Sequence, residues 1–352
     1  MDSGVKYMDS RTRVINAIER KPVDRAPYSF DLTSKIIKGL AKHYGIDPDG
    51  LFSFIGDDLL YVNTNNPNRQ KIEKQAEGTY LDEFGVLWDR SDQTHEIGDW
   101  GGIIKAPLPE PSLKGYSFPD GTIPGRFSHL DFNALKRQKR FVILALPGLY
   151  TTCWRLRGFE NFLMDMSGDE KFSCELLDMA LNFNLGVINQ APDAINGIRF
   201  DEDWGLQKGL IMGIKIWRKL LKPRLKIMYK AARDRGIRIF IHSCGDIREL
   251  FDDIIELGVE VVHPVQPEAM DIAKLQKTYG DKLTMYGGLG TQSTLVYGTP
   301  DDVVNEAKNR LEIFKDGGYI LGPAGAISTD TKIENVAALA DFARNNFTAT
   351  GK

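Results

Sequence analysis

Short apolar, β-branched runs alternate along this chain with longer amphipathic stretches. Eight runs read as strands: Ala26–Phe30, Leu59–Asn63, Phe141–Leu146, Gly197–Asp201, Ile237–His242, Val259–His263, Leu283–Tyr286 and Tyr319–Leu321. From the fourth onward, helical patterns fill the gaps: Trp217–Arg235, Ile247–Leu257, Met270–Tyr279 and Pro300–Asp316. Glycine comes after each of them (Gly236, Gly258, Gly280, Gly317), where a helix end calls for a left-handed residue. Strand–helix alternation of this kind builds parallel β/α units. Roughly eight such units predict a (β/α)8 TIM barrel, a fold of about 250 residues in one piece. A doubly wound open sheet is the competitor, but no G-x-G-x-x-G comes after the first strand. The stretch from about 65 to 138 breaks the alternation. Its Pro, Gly, Asp and aromatic content reads as an insertion after the second strand, a small hairpin plus a long loop, within one domain spanning 1–352.

Composition narrows the class. The chain has 352 residues, 42% of them hydrophobic, enough for a sizeable core rather than a disordered chain. Lys and Arg total 45 against 48 Asp and Glu, a net charge of −3, which argues against nucleic-acid binding. Three cysteines, an odd number, exclude a fully paired disulfide framework and suit a reducing cytoplasm. The polar N-terminus carries no signal-peptide pattern, and the longest apolar runs are too short to cross a bilayer. The expectation is a cytoplasmic protein with no membrane segment, and a homodimer is the default assembly.

In a barrel, chemistry gathers where strands end at the C-terminal face. The polar and metal-capable residues at or just after the strand ends are, in chain order, Asp31; Asp57, Asp58 and Asn63; Tyr150, Cys153 and Arg155; Asp201, Asp203, Trp204 and Gln207; His242, Cys244 and Asp246; His263 and Gln266; and Thr291 and Gln292, with the turn Pro323 to Ala326 after the last strand. Ile241-His242-Ser243-Cys244-Gly245 is the sharpest element, because an imidazole and a thiol two residues apart at a strand end are both zinc ligands. The bland alternative is a buried histidine beside a small apolar cysteine. Cys153 and His263 fall near the same mouth, and either is a candidate third ligand; Cys174 sits mid-helix and reads as core. Strand alternation aims Asp201 and Asp203 the same way, as a candidate acid/base pair or as an acidic surface loop. Asp58 is a further candidate catalytic carboxylate, unless Asp57-Asp58 is a cap-and-turn pair. Asp31, Tyr150, Trp204, Gln207, Gln266 and Gln292 are the candidate substrate-binding residues, with Trp204 equally open to core packing.

The sequence resembles the uroporphyrinogen decarboxylase superfamily, which holds the true decarboxylase and the zinc-containing, corrinoid-linked methyltransferases. The resemblance runs nearly end to end. It is carried by RVINAIERKPVDRAP from Arg13, LRGFE from Leu156, DWGLQ from Asp203, IHSCGDIRELFDDIIELGVEVVHPVQPEAMD from Ile241, YGGLGTQSTLVYGTPDDVV from Tyr286 and GGYILGPAGAISTDTKIENV from Gly317. It implies a (β/α)8 barrel, in agreement with the strand count. Two departures bear on the branch. The decarboxylase's arginine-rich segment after the first strand is replaced by Tyr28 to Thr33, and its histidine turn after the last strand by Pro323-Ala324-Gly325. A substrate with many carboxylates would meet few arginines. The methyltransferase branch uses H-x-C, matched by His242 and Cys244, plus a second cysteine after the last strand. No thiol stands there, so Cys153, His263, a carboxylate or the substrate itself must complete the set.

The resemblance therefore implies a methyltransferase. It would move a methyl group between a small molecule and a corrinoid carried by a partner protein, with zinc at His242 and Cys244. The alternatives are a metal-free decarboxylase-like lyase and a non-catalytic ligand-binding barrel.

Overall fold

A computed structural model describes residues 7–65, 78–89 and 102–346 of the chain. Seven strands form one parallel sheet in chain order: Leu59–Val62, Phe141–Pro147, Gly197–Asp201, Arg238–His242, Val261–Val265, Thr284–Leu289 and Tyr319–Pro323. The eighth barrel position is filled by the extended segment 27–32. It bonds the last strand through Leu321 N to Pro27 O (2.8 Å) and Ser29 N to Leu321 O (3.1 Å). Asp58 N, at the start of the first strand, donates to Tyr28 O (3.0 Å), so the same segment meets both sheet edges and closes the (β/α)8 barrel. The segment is largely irregular because Asp57 and Asp58 side chains, rather than ladder partners, accept from Phe30 N and Tyr28 N (3.0 Å each).

Alternation along each strand sorts the core into two compartments. Leu59, Phe141, Ile143, Phe240, Val261, Tyr286 and Ile320 pack together inside the barrel, closed from below by Val14 and Ile18 of the helix Ser10–Ile18. The opposite strand positions pack outward against the helices. Gly197 is glycine because a Cβ there would lie 2.9 Å from the Phe240 ring and 3.0 Å from that of Phe141. Continuing the inward alternation toward the C-terminal ends brings up Tyr61, Arg199, Asp201, His242 and His263. In register, Asp201 pairs with His242, and His242 with His263.

The insertion holds an antiparallel sheet of Thr79–Leu81, Leu87–Asp89 and Ile103–Lys105, and a helix Phe132–Gln138. Positions 66–77 and 90–101 of it lie outside the described residues. The sheet leans on the helix Leu149–Arg157, where the Arg155 guanidinium sits 5.4 Å from the Trp88 ring centre. No helix among the described residues is long and apolar enough to cross a membrane.

Candidate metal centre at the barrel mouth

Three neighbouring strand ends build the site. After the Gly197–Asp201 strand the chain does not simply continue its alternation. Glu202 turns outward and is fully buried, accepting from Leu149 N and Tyr150 N (3.0 Å each) at the start of the Leu149–Arg157 helix. Gly148 leaves it room, since a Cβ there would fall 2.1 Å from Glu202 Cδ. Burial pushes the Glu202 carboxyl up to about 8, against its two backbone hydrogen bonds.

Asp203 then takes a left-handed backbone (φ 47°), which aspartate tolerates better than most residues. The turn carries its carboxylate to the next strand. Oδ1 lies 3.5 Å from His242 Nε2 and accepts from Cys244 N at 3.2 Å. Cys244 Sγ is 3.7 Å from the same Nε2. Ser243 Oγ fixes the facing loop by accepting from Trp204 N (2.8 Å). The short hairpin Gly205–Leu206 and Gly209–Leu210 lies on the Cys244 turn backbone to backbone. A Cβ on Gly205 would sit 2.4 Å from Cys244 O, and one on Gly245 (φ 78°) 2.5 Å from Leu206 O. On the far side, His263 Nδ1 is 2.8 Å from His242 Nδ1, and its ring packs tilted against that of Tyr286, with centres 4.2 Å apart.

Asp203, His242 and Cys244 thus gather one oxygen, one nitrogen and one sulfur within 4.8 Å of one another. Zinc bonds of about 2.0–2.3 Å at tetrahedral angles put N and S about 3.6 Å apart, and N and O about 3.4 Å apart. The observed 3.7 and 3.5 Å fit those spacings. Three protein donors leave a fourth position free, as catalytic zinc sites do. The Asp203 side chain keeps 43% of its surface accessible and His242 15%, so the cluster faces the mouth.

Electrostatics follow the geometry. Burial disfavours charge on His242, but the Cys244 sulfur and Asp203 carboxylate beside it hold its pKa well above the usual histidine value. Burial works to raise Asp203, and His242 and the Cys244 N–H outweigh it, holding the carboxyl low. Burial pushes His263 well below the ordinary range, helped by His242 and Arg199.

A cavity of about 450 Å³ opens beside the cluster, lined among others by Asp31, Tyr61, Arg155, Arg199 and Asp201. Arg199 Nε donates to Asp201 Oδ1 (2.9 Å), its Nη1 lies 3.8 Å from Asp31 Oδ2, and the guanidinium stacks over Tyr61 at 4.6 Å. Asp201 lines this cavity while its strand partner His242 belongs to the cluster, so the two share one mouth.

Several candidates are placed otherwise than expected. Cys153 is not the third ligand: it is sealed in the core on the Leu149–Arg157 helix, where burial raises its thiol pKa well above the ordinary value. Asp203 lies beside His242 and Cys244, apart from Asp201, which bonds Arg199. His263 meets the back of His242 through Nδ1 and adds no donor to the cluster. Asp58 is not at the mouth: it is fully buried near the barrel's lower end between Arg13 and Arg25 (2.6 Å to each). Tyr150 and Trp204 do not line this cavity. Tyr150 is buried near Phe162, and Trp204 packs edge-on against Trp217 at 5.3 Å. Gln266 is buried with its Oε1 accepting from Gly245 N (3.1 Å), which supports the cysteine turn. Gln207 and Gln292 bond one another at the exposed rim (3.2 Å). Asp31 lines the cavity. Sequence reasoning passed over Arg199 and Glu202. The signal for Arg199 was present, a charge inside the otherwise apolar GIRFD strand two residues before Asp201.

Comparison with known proteins supplies a family. The family model described as uroporphyrinogen decarboxylase (URO-D) matches residues 145–346, more than half of the chain. The methylcobamide:CoM methyltransferase MtaA of Methanosarcina barkeri is 29% identical over 130 residues, 37% of this chain and 36% of that protein. A uroporphyrinogen decarboxylase of Pelodictyon phaeoclathratiforme is 24% identical over 166 residues, 45% of this chain and 44% of its own length. The matched stretches thus span less than half of either relative. Among solved structures, a methyltransferase from Methanosarcina mazei superposes with a TM-score of 0.72 at 18% identity, covering 96% of this chain and 98% of that one, and shows the same fold.

Proposed function

This chain belongs to the uroporphyrinogen decarboxylase family, and we propose that within it the protein is a methyltransferase that moves a methyl group between a small molecule and a corrinoid carried by a partner protein. The observation that carries the reading is the Asp203, His242 and Cys244 cluster, whose spacing suits zinc and which lies one strand from Asp201 at the cavity wall. A zinc ion held there supplies Lewis acidity to the heteroatom that gives or receives the methyl group.

The chain's own residues do the rest. With a metal bound, Asp203 and Cys244 would supply anionic donors and His242 a neutral one through Nε2. Gln266 and Ser243 hold the Cys244 turn from two sides, which fixes the thiolate relative to the imidazole. Arg199, clamped by Asp201 and supported by Tyr61, presents the rest of its guanidinium to the small molecule's polar end. Asp31, Asp57 and Asp201 balance the three arginines that line the cavity, Arg140, Arg155 and Arg199, so it suits a compact polar substrate rather than one carrying many carboxylates.

The test combines metal analysis with turnover. Wild-type protein is expected to hold one zinc per chain and to consume methylcobalamin when a thiol acceptor is present. His242→Ala is expected to lose both. A wild-type protein free of metal, an active His242→Ala variant, or turnover of uroporphyrinogen in place of methylcobalamin would overturn the reading.

A further inference from the structure

We propose that His263 is the positioning residue that dedicates His242 Nε2 to the metal pocket, an inference that rests on the metal reading above. The two Nδ1 atoms are 2.8 Å apart. One proton must lie between them, because two N–H groups or two lone pairs at that distance repel. Nε2 of His242 faces Asp203 Oδ1 and Cys244 Sγ, so a metal held between them would take its lone pair. The shared proton then belongs to His242 Nδ1, and His263 Nδ1 accepts it. By valence, neutral His263 carries its own proton on Nε2.

The surroundings hold the acceptor in place. His263 is fully buried, packed against Tyr286 and in strand register with His242, so its ring cannot swing away. Its Nε2 is buried with no hydrogen-bond partner among the described residues. An apolar residue would fill this interior position without that cost. The imidazole gains its place through the other nitrogen, which fixes the tautomer and plane of His242.

The experiment measures zinc affinity by competition with a chromophoric chelator for wild type, His263→Leu and His263→Asn, with circular dichroism to confirm folding. Asparagine can place its amide oxygen near the lost Nδ1; leucine offers no acceptor. Losing a partner of this kind weakens metal binding about 10- to 100-fold. That loss is expected for His263→Leu, and His263→Asn is expected to recover most of it. Folded His263→Leu with wild-type affinity, or His263→Asn no better than leucine, overturns the proposal. Nitrogen-15 spectra of metal-free wild type provide a readout that does not depend on metal binding. A proton on His263 Nε2 and a bare Nδ1 support the proposal; the reverse pattern overturns it. A wild-type protein that binds no zinc removes the functional reading, and the tautomer still decides this one.

Discussion

Asp58 offers a sharp test, because its sequence position suggested catalysis and its surroundings argue for structure. Its carboxylate accepts from Arg13 Nη1 (2.6 Å), Arg25 Nη1 (2.6 Å), Arg25 Nη2 (3.2 Å) and Tyr28 N (3.0 Å). The side chain is 0% exposed, and those of Arg13 and Arg25 are 5% and 6% exposed. Together these bonds tie the helix that plugs the barrel bottom to the first strand and to the segment that closes the sheet. In Asp58→Ala, Arg13 still holds Asp24 at 2.6 Å, whereas the Arg25 guanidinium keeps carbonyl contacts at 3.1 and 3.4 Å, the Tyr28 ring and the more distant charge of Asp24, with no direct carboxylate partner among the described residues. Stranding one buried guanidinium costs about 3–5 kcal/mol, a large share of a typical stability of about 5–15 kcal/mol. For a chain of this size the loss lowers Tm by roughly 4–7 °C. Replacing both partners, as in Arg25→Met with Asp58→Leu, is expected to recover part of it, since the uncompensated charge is gone. Thermal unfolding by circular dichroism reads the stability, and zinc content at low temperature reads the site. The folded fraction of Asp58→Ala should bind zinc as wild type does. A variant of unchanged Tm that loses methyl transfer would refute the structural assignment.

The two cysteines separate the two readings of a thiol. Cys153→Ala is expected to keep full zinc content and lose about 1–2 kcal/mol through the small cavity it leaves in the core, whereas Cys244→Ala loses the metal; elemental analysis and thermal melts decide between them. Asp203→Ala removes the oxygen donor and the acceptor for Cys244 N, so zinc affinity should fall at least about 10-fold in chelator competition, and equal affinity would return the search to another third ligand. Glu202 predicts a pH effect. The folded protein holds that proton up to about pH 8 while the unfolded chain releases it near 4.5, so between those values the unfolded state binds fewer protons and stability falls as pH rises. Tm measured from pH 5 to 9 should show that decline, and Glu202→Gln should flatten it while lowering Tm at pH 6 through one mispaired helix N–H.

The barrel itself was legible because its signals are local. Each strand run and each glycine after a helix is written into a few consecutive residues, and the observed strands overlap the expected runs. The irregular 27–32 segment was read as an ordinary strand, because the partners that displace its ladder, Asp57 and Asp58, are supplied from some thirty residues away. The same distance problem governs the site. His242 and Cys244 sit on one strand end, and spacing alone exposed them. Alternation put Asp201 and Asp203 on one side, but it does not contain the left-handed turn at Asp203, and that turn separates their roles. One carboxylate goes into the cavity to clamp Arg199, the other across to the next strand. A similar limit applies to Cys153: its position after a strand suggested the mouth, but the chain enters a helix at Leu149 and the cysteine falls on the face turned to the core.

Asp203 also accounts for the departure at the end of the last strand, where Ala324 and Gly325 offer no thiol. A third donor in a barrel must come from a strand end close enough to reach the imidazole and thiol. The strand carrying Asp201 is hydrogen-bonded directly to the one carrying His242, so a single turn brings its carboxylate to 3.5 Å. The strand Tyr319–Pro323 lies three places from the His242 strand in the sheet, with Val261–Val265 and Thr284–Leu289 between them. On the proposed metal reading, exchanging a distant thiolate for an adjacent carboxylate would preserve the donor count and the charge of −1 while hardening the donor set. Harder oxygen ligation tolerates metals other than zinc better than a two-thiolate site does. Cobalt should therefore compete with zinc at this centre more effectively in the wild type than in Asp203→Cys, and equal zinc-to-cobalt preference in the two proteins would show that Asp203 is not a ligand.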